Sequence, residues 1–377
     1  MTGIALPGGE YTLREPVTWE RPAGPPRSRI VYAAAHVVAD PLGDNTPGSP
    51  AAVDWEATLR FRRHLWSHGL RVADAMDTAQ RNMGLDWAAT SELIRRSAAE
   101  AAGFGDPATL VACGAGTDHA PDAATLDEVV AAYTEQIETV RQAGAGVIVM
   151  ASRQLARIAE GPEDYHAVYG KLLSAADRPV ILHWLGEMFD PQLAGYWGSR
   201  DVAEATESFL ALIREYAPAV DGVKVSLLDA EHEIGLRSAL PEGVRLYTGD
   251  DFNYPSLIAS GSHALLGIFD AIAPAAAAAL AALDAGDLDR YDEIMAPTVP
   301  LSRKIFETPT YNYKTGIVFL AWLNGHQDAF AMVNGAQSAR SIAHLAEVFR
   351  LADRAGLLSD PELAVHRMRS LLAVNGL

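Results

Sequence analysis

The sequence predicts a (β/α)8 barrel with an N-terminal extension and a C-terminal helical appendage. From Arg29 onward, eight short apolar runs alternate with helical segments over about 250 residues, which is the size and pattern of this fold. No glycine-rich phosphate-binding fingerprint follows the first run, which disfavours a doubly wound sheet. Beyond residue 285 the pattern is helical throughout. We therefore expect an arm at 1–28, a barrel at 29–285 and a helical region at 286–377.

The elements follow one another in a regular order. The arm opens with "IALPGGEYTL", which is typical of two short strands around a Gly-Gly turn. The predicted strands and helices of the barrel are RIVYAAAHVVA with 55–68, LRVADAM with 86–102, TLVACGAG with 125–143, AGVIVMA with 162–176, PVILHWL with 199–216, VDGVKVSLL with 231–240, VRLYTG with 254–260 and ALLGIFDAI with 275–285. Further helices are expected at 291–307, 314–323, 338–355 and 361–372, packed as a cap on the barrel without forming a separate functional domain.

The composition excludes several classes of function. The chain of 377 residues is 49% hydrophobic and 21% charged, as in a globular protein with a sizeable core. Its net charge of -18 argues against nucleic acid and anionic membranes, and it favours a sugar or polyol ligand over an anion. The single cysteine, Cys113, fits a reducing compartment, and the N-terminus lacks a signal-peptide pattern. We therefore predict a cytoplasmic protein that forms a homo-oligomer, either a dimer or a tetramer.

Active sites of this fold are built at the C-terminal ends of the strands and in the loops that follow them. That rule selects a set of polar residues, strand by strand. They are His36 and Asp40; Asp77, Thr78 and Arg81; Thr117, Asp118 and His119; Ser152 and Arg153; His183, Trp184 and Glu187; Lys224, Ser226 and Asp229; Asp250 and Asp251; and Asp270.

Lys224 is the most informative of these residues, because it lies in the apolar strand "DGVKVSLLD". Lysine is rarely buried without a reason, and loss of solvation lowers its pKa toward that of a nucleophilic amine. Such an amine condenses with a ketone or aldehyde to a Schiff base, which is an electron sink for breaking or forming an adjacent C–C bond. The alternative is a structural lysine paired with Asp229 or Asp250.

From Arg29 to about Leu323 the chain resembles the dihydrodipicolinate synthase and N-acetylneuraminate lyase superfamily of class I aldolases and lyases. "DGVKVSLLD" is similar to the strand that carries the Schiff-base lysine in that family, "YTGDD" to the Gly-Asp-Asp after its seventh strand, and "LGIFDAIAP" to its eighth strand. The resemblance implies a barrel with a helical tail, no metal cofactor, and an imine formed on Lys224.

Three stretches depart from the family's pattern. The loop that usually reads Gly-Thr-Thr-Gly-Glu is "MDTAQ" here, so Thr78 keeps one hydroxyl while Asp77 adds a negative charge, which argues against pyruvate as the ketone. "HWLG" puts His183 where the family has its proton-shuttling tyrosine, and a histidine can do general acid–base work at its ordinary pKa. "ASRQ" brings Arg153 near the site, either to hold an anionic substrate group or to pair with a carboxylate.

Substrate binding is assigned to the polar residues around these four catalytic candidates, Lys224, His183, Asp77 and Thr78. Carboxylates at the barrel mouth suit the hydroxyl groups of a sugar-like substrate, although each can equally cap a helix. The predicted substrate-binding residues are Arg153, Asp118, Asp229, Asp250, Asp251, Trp184 and Glu187.

The favoured function is a Schiff-base lyase or aldolase acting on a keto acid or keto sugar, with dehydration of the bound substrate as a close variant. One alternative is a metal-dependent sugar isomerase or epimerase, whose divalent ion would be held by His36, Asp118, His119, His183 and Glu187. That set has no tight spacing signature and leaves Lys224 unexplained. A second alternative is a non-catalytic barrel that binds a small molecule.

Overall fold

A closed barrel of eight parallel strands forms the centre of the computed structural model, which describes residues 2–377. An antiparallel hairpin of β1 (Gly3–Leu6) and β2 (Gly9–Thr12) precedes it. The barrel strands are β3 (Val31–Ala34), β4 (Arg71–Asp74), β5 (Val111–Ala115), β6 (Gly146–Val149), β7 (Val180–Leu185), β8 (Val220–Ser226), β9 (Arg245–Thr248) and β10 (His263–Leu266). Neighbouring strands pair in chain order and β10 closes onto β3, so the predicted barrel and hairpin are confirmed.

Helices cover the outside of the barrel and continue beyond it. They are α1 (Trp55–Ser67), α2 (Trp87–Ala101), α3 (Pro107–Leu110), α4 (Leu126–Ala143), α5 (Arg153–Ile158), α6 (Pro162–Ser174), α7 (Val202–Glu215), α8 (Ala230–Ala239), α9 (Tyr254–Ala259), α10 (Ile268–Asp284), α11 (Leu288–Met295), α12 (Thr298–Ile305), α13 (Tyr313–Leu323), α14 (Ile342–Arg354) and α15 (Pro361–Val374). Within the described residues, no helix is long and apolar enough to cross a membrane.

A few boundaries differ from the sequence-based expectation. The run "ALLGIFDAI" is strand only as far as Leu266, because α10 begins at Ile268 and not near 275. The expected helix at 291–307 is split into α11 and α12 at Ala296 and Pro297, since proline interrupts helical hydrogen bonding. The short helices α3 and α5 were not predicted; both lack the length that makes a helical period visible.

The interior of the barrel is apolar at mid-height and polar at both ends. Side chains alternate between the two faces of a strand, so Ile181 and His183 of β7 point inward while Trp184 points outward. The apolar inner layer consists of Tyr32, Ala34, Ala73, Met76, Ala112, Ile148, Met150, Ile181, Tyr247 and Leu265. This layer separates the C-terminal end of the barrel, which carries the candidate site, from the N-terminal end.

The N-terminal arm joins the C-terminal helices to the barrel. The Tyr11 hydroxyl donates to Asp353 at 2.7 Å, and the Trp19 indole donates to the Gly356 carbonyl at 2.9 Å. Nearer the barrel, the backbone N–H groups of Arg27 and Ser28 donate to Asp284 at the end of α10. The hairpin thus packs on the C-terminal helices, and the residues after it lead into β3.

Candidate active site

Lys224 and His183 occupy adjacent inward positions at the C-terminal end of the barrel. They are direct register partners across the β7–β8 pair, and both side chains are buried. His183 Nε2 lies 3.3 Å from the Ser226 hydroxyl, the next inward position of β8, while its Nδ1 has no hydrogen-bond partner within residues 2–377. An unpaired ring nitrogen deep in the barrel is costly, which makes it a candidate for substrate contact.

Gly249 makes room for the lysine side chain. A Cβ at position 249 would lie 2.2 Å from Ser226 Oγ and 3.0 Å from Lys224 Cε, so any larger residue would displace both groups. Gly222 likewise makes room for Tyr247 one layer below, where a Cβ at position 222 would lie 2.6 Å from the Tyr247 ring. The two glycines let Lys224 run toward the C-terminal end of the barrel and Tyr247 toward the N-terminal end.

Asp77 and Thr78 follow β4 in a buried 3-10 turn, Asp77–Ala79. The turn is preceded by Ala75, which has a positive φ of 52°, a strained conformation for a residue with a side chain. The Tyr313 hydroxyl donates to Asp77 Oδ2 at 2.7 Å and lies 2.7 Å from the Thr78 hydroxyl. Because the tyrosine has one proton, Thr78 is the donor in the second contact, and the three groups form a chain that ends at the carboxylate.

Helix α13 adds a second buried lysine to this end of the barrel. Lys314 is 3% exposed, its Nζ donates to the Tyr311 carbonyl at 3.2 Å, and it lies 4.5 Å from the centre of the Tyr313 ring. Four lysines occur in the whole sequence, and the other two, Lys171 and Lys304, form ion pairs on the surface with Asp127 and Glu307. Half of the lysines of the chain are therefore buried near one carboxylate, Asp77.

Opposite charges set the protonation states of Asp77 and Lys224. Burial acts to raise the pKa of Asp77, but the cations Lys224 and Lys314 and the Tyr313 hydroxyl overcome it and hold this pKa lowered, at about 2. Burial lowers the pKa of Lys224, and Asp77 and Asp251 oppose that effect without cancelling it. Asp77 is therefore ionised, while the Lys224 amine loses its proton more readily than an ordinary lysine.

The neighbouring groups shift in the directions expected of buried side chains. Burial raises the pKa of Asp251 to about 8, although its Oδ1 accepts the Ile268 N–H at 2.8 Å and Lys224 lies nearby. Burial and the Lys224 charge drive the pKa of His183 well below its usual value. These effects favour the neutral imidazole of His183, because no solvent reaches its side chain to stabilise a charge, and its acid–base role stays a prediction.

A cavity of about 350 Å³ leads from the surface to Asp77. Lys314 lines it on one side, and Arg153 and Asp190 line it near the mouth, where Arg153 Nε donates to Asp190 Oδ2 at 2.6 Å. Lys224 is not among the lining residues, so a molecule that enters the cavity meets Asp77 and Lys314 first. Arg153 thus combines both predicted roles, since it pairs with a carboxylate and still faces the cavity.

Three of the predicted substrate-binding carboxylates have structural partners. Asp118 pairs with the buried Arg81, whose Nε donates to Asp118 Oδ2 at 2.9 Å. Asp229 is exposed and caps the N-terminus of α8. Asp250 is buried but accepts the N–H groups of Phe252 and Asn253 in its own loop. These contacts give the three carboxylates a structural role in the loops around the site, and their assignment to substrate binding stays a prediction.

Trp184 and Glu187 also lie away from the site. The Trp184 ring packs edge-on against Phe209 and His232 on the outer face of β7, and Glu187 is exposed. Alternation along the strand explains the error for Trp184, because the neighbour of an inward His183 must point outward. Of the residues assigned to substrate binding, Arg153 and Asp251 are the two that remain at this end of the barrel with a side chain directed to the cavity or to Lys224.

The five residues of the metal alternative do not come together. His36 Nδ1 lies 2.8 Å from Asp270, His119 is bound by Gln136 and Glu135, and His183 contacts Ser226. Across residues 2–377, no group of three or more His, Cys, Asp or Glu side chains has the arrangement of a metal site. This ligand set is therefore corrected as well.

Tyr313 and Lys314 were not among the sequence-based candidates. The stretch "TYNYKTGIVFLAWL" nevertheless contained a signal of the same kind as Lys224, namely a lysine at the start of an otherwise apolar helix that is buried along its whole length. The helical region was expected only to cap the barrel, yet α13 supplies two of the groups around Asp77.

Comparisons with solved structures show which known barrels share this fold. YagE, a prophage protein of the dihydrodipicolinic acid synthase family from E. coli K12 whose structure contains pyruvate, superposes with a TM-score of 0.67 at 13% identity, covering 87% of this chain and 99% of its own. Dihydrodipicolinate synthase from Aquifex aeolicus gives a TM-score of 0.65 at 15% identity, with 88% and 99% coverage. At these identities the likeness is one of fold, and the fold is that of the dihydrodipicolinate synthase superfamily.

Sequence comparison supports the same class and names the family. The 4-hydroxy-tetrahydrodipicolinate synthase of Maridesulfovibrio salexigens is 26% identical over 209 residues, which is 55% of this chain and 63% of that protein, so the match spans less than two thirds of its length. The resemblance to the superfamily is thereby confirmed. The family described as "Protein of unknown function (DUF993)" matches residues 7–377, and the chain belongs to this family.

Proposed function

We propose that this protein is a Schiff-base lyase or aldolase that breaks or forms a C–C bond in a small carbonyl compound through Lys224. The observation that carries the proposal is a buried lysine of lowered pKa at the C-terminal end of a barrel strand, beside the ionised Asp77. A neutral amine is the nucleophile that carbonyl condensation needs, and a nearby carboxylate stabilises the cationic imine that results.

The proposed reaction proceeds through imine formation, cleavage of the C–C bond and hydrolysis of the second product from Lys224. The Lys224 nitrogen attacks the carbonyl carbon, and the carbonyl oxygen leaves as water to give a protonated imine. In a β-hydroxy carbonyl substrate, a base then removes the hydroxyl proton and the electrons of the Cα–Cβ bond move to the imine nitrogen, releasing an aldehyde and leaving an enamine. Protonation of the enamine carbon and addition of water release the second product and restore Lys224.

Proton transfer is assigned to the groups around Lys224. The chain from Thr78 through Tyr313 to Asp77 can carry a proton between the substrate and the carboxylate, because each hydroxyl both donates and accepts. His183, with a free Nδ1, is assigned to hold the substrate by a hydrogen bond.

The substrate is proposed to be a keto acid or keto sugar, and dehydration of the bound imine is the close variant. The lyases among the superfamily relatives support carbonyl chemistry in this fold, and pyruvate is bound by YagE. The negative charge of Asp77 in the loop after β4 disfavours pyruvate itself for this chain. Assembly as a dimer or tetramer and a cytoplasmic location stay predictions.

Borohydride trapping tests the proposal. The protein is incubated with pyruvate and a panel of longer keto acids and keto sugars, treated with borohydride, and weighed intact by mass spectrometry. We expect a stable adduct with at least one compound, its loss in Lys224→Met, and its persistence in Lys304→Met, a matched removal of a surface lysine. Failure to trap any compound, or an equal yield in Lys224→Met confirmed as folded by circular dichroism, contradicts the proposal.

A further inference from the structure

We propose that Lys314, together with Arg153, selects substrates that carry an anionic group, a carboxylate or a phosphate, separate from the reacting carbonyl. The inference rests on the proposed function and names the substrate class of the same site. It assigns a specificity role to a residue of the C-terminal helical region, outside the barrel strands and their loops.

The cavity is locally cationic in a strongly acidic protein. Its charged lining residues are three cations, Arg81, Arg153 and Lys314, and two carboxylates, Asp77 and Asp190. The chain as a whole carries -18, so its general field repels anions and this patch is a local exception. Arg81 is paired with Asp118, so Lys314 and Arg153 are the lining cations that can meet an anionic ligand, which the net charge of the chain alone would disfavour.

Lys314 has hydrogen-bonding capacity left over. Its ammonium has three N–H groups, and within the described chain one of them is used, on the Tyr311 carbonyl. Arg153 uses Nε on Asp190, and over the same residues its two terminal nitrogens have no protein acceptor. A buried cation with free donors on a cavity wall matches the needs of an oxyanion, which binds several N–H groups at once.

Asp77 links the cavity to Lys224. It lines the cavity together with Lys314, while Lys224, inside the barrel, also lowers the pKa of Asp77. A carbonyl group that reaches Lys224 leaves the rest of the molecule in the cavity. An anionic group on that remainder is held by Lys314 and Arg153.

Matched probes test the inference by the ratio of two half-saturating concentrations. Dihydroxyacetone phosphate is compared with dihydroxyacetone, and 4-oxopentanoate with 2-pentanone, each pair differing in one anionic group. Borohydride trapping on Lys224 gives the half-saturating concentration of each. We expect the anionic member to saturate at about tenfold lower concentration, the size of one charged hydrogen bond. The probe pair with the larger ratio shows whether the site prefers a phosphate or a carboxylate.

Variants decide whether Lys314 is responsible. In Lys314→Met the ratio should fall to about one, in Lys314→Arg it should persist, and in the surface control Lys304→Met it should match the wild type. A ratio that stays near tenfold in Lys314→Met overturns the inference, since Lys314 would then serve only as a counter-ion of Asp77. A wild-type ratio near one overturns it as well.

Calorimetric titration with the phosphate probe separates this inference from the proposed function. Binding of dihydroxyacetone phosphate that weakens about tenfold in Lys314→Met supports the anion site, even if no adduct forms on Lys224 and the Schiff-base proposal fails. If adducts form but show no preference for the anionic probes, the anion site is wrong and the Schiff-base proposal stands. If no adduct forms and the phosphate probe does not bind preferentially, both proposals are wrong.

Discussion

Both ends of the barrel interior carry polar side chains, but those at the N-terminal end are mostly half-buried and paired with one another, whereas those at the C-terminal end are buried and only partly paired. At the N-terminal end, Asp221 accepts the Tyr247 hydroxyl at 2.6 Å and pairs with Arg245, and His263 Nδ1 accepts the Ile30 N–H at 2.8 Å. At the C-terminal end, Asp77 Oδ1 and His183 Nδ1 are buried without partners among residues 2–377.

This difference indicates which cluster is built for stability and which for a ligand. Shifted pKa values alone do not separate the ends, because burial lowers the pKa of His263 to about 4 at one end and that of His183 well below normal at the other. The two ends do differ in buried polar atoms that lack a hydrogen-bond partner. A buried polar atom without a partner costs free energy, and because Asp77 lines the cavity, a substrate bound there can supply the missing contact.

The largest expected effect comes from removing the hydroxyl that links Thr78 to Asp77. Tyr313→Phe should slow proton transfer about 1000-fold, the middle of the range for general acid–base catalysis. The measurement uses a ketone that forms the borohydride adduct, and NMR follows the exchange of its α-protons in D2O. The borohydride adduct should still form, and Tyr11→Phe, the same change in the N-terminal arm, should exchange at the wild-type rate.

An exchange rate in Tyr313→Phe that equals the wild-type rate would assign the proton transfer to other groups. His183→Phe would then be the next variant to measure, and a large loss there would restore His183 as the principal acid–base residue.

The next effect concerns stability and pH at the C-terminal end. The pKa of Asp251 is about 8 in the folded protein, against about 3.9 in the unfolded chain, so its stabilising contribution is present below pH 4 and is lost as the pH rises to about 8. Asp251→Asn cannot ionise, so its free energy of unfolding does not fall with pH at this position, and the amide keeps an acceptor for the Ile268 N–H. Its free energy of unfolding relative to wild type should therefore rise by about 5 kcal/mol between pH 4 and pH 8.

Denaturant titrations at several pH values measure this difference. Asp229→Asn, the same substitution at an exposed helix cap, is the matched control and should show no such trend. A flat difference for Asp251→Asn would mean that Asp251 is already ionised in the folded protein.

A smaller effect is expected at the N-terminal end. Asp221→Ala leaves the buried Tyr247 hydroxyl without its acceptor, which should lower the free energy of unfolding by about 2 kcal/mol. Trapping on Lys224 should stay at the wild-type yield, since the apolar inner layer separates the two ends. Loss of trapping in Asp221→Ala, measured where circular dichroism shows that the variant is folded, would contradict the separation of the two ends.

The smallest effect tests whether Asp229 serves as a helix cap and not in substrate binding. Asp229→Ala removes the cap of α8, where the carboxylate accepts the His232 N–H at 3.0 Å, and should lower the free energy of unfolding by about 1 kcal/mol. Half-saturating concentrations in the trapping assay should match the wild type. A tenfold increase in them would return Asp229 to substrate binding.

Much of the fold was predictable because hydrophobic periodicity is local. Seven of the eight barrel strands lie within their predicted apolar runs, and β10 begins one residue before its run, at His263; the glycines and prolines between runs end the elements. The split of the 291–307 helix was also visible in the sequence as Pro297. The early start of α10 was not, because "GIFDAI" is apolar enough for either a strand or a helix.

The site was predictable only where chain position determines side-chain position. Lys224, His183 and Asp77 follow from the rule that strand ends meet at one end of the barrel. Lys314 lies about 90 residues further along the chain than Lys224, and no local pattern tells that α13 folds back over Asp77. The partners of Asp118 and Arg153 depend in the same way on contacts between different loops.

The direct test of the central claim is the location of the trapped adduct among the four lysines of the chain. After borohydride reduction with the ketone that gives the highest yield, the protein is digested and the modified peptides are quantified by mass spectrometry. We predict modification of Lys224, with Lys314 and the surface residues Lys171 and Lys304 unmodified. An adduct on Lys314, or one spread over the surface lysines, would contradict the claim that Lys224 is the reactive amine.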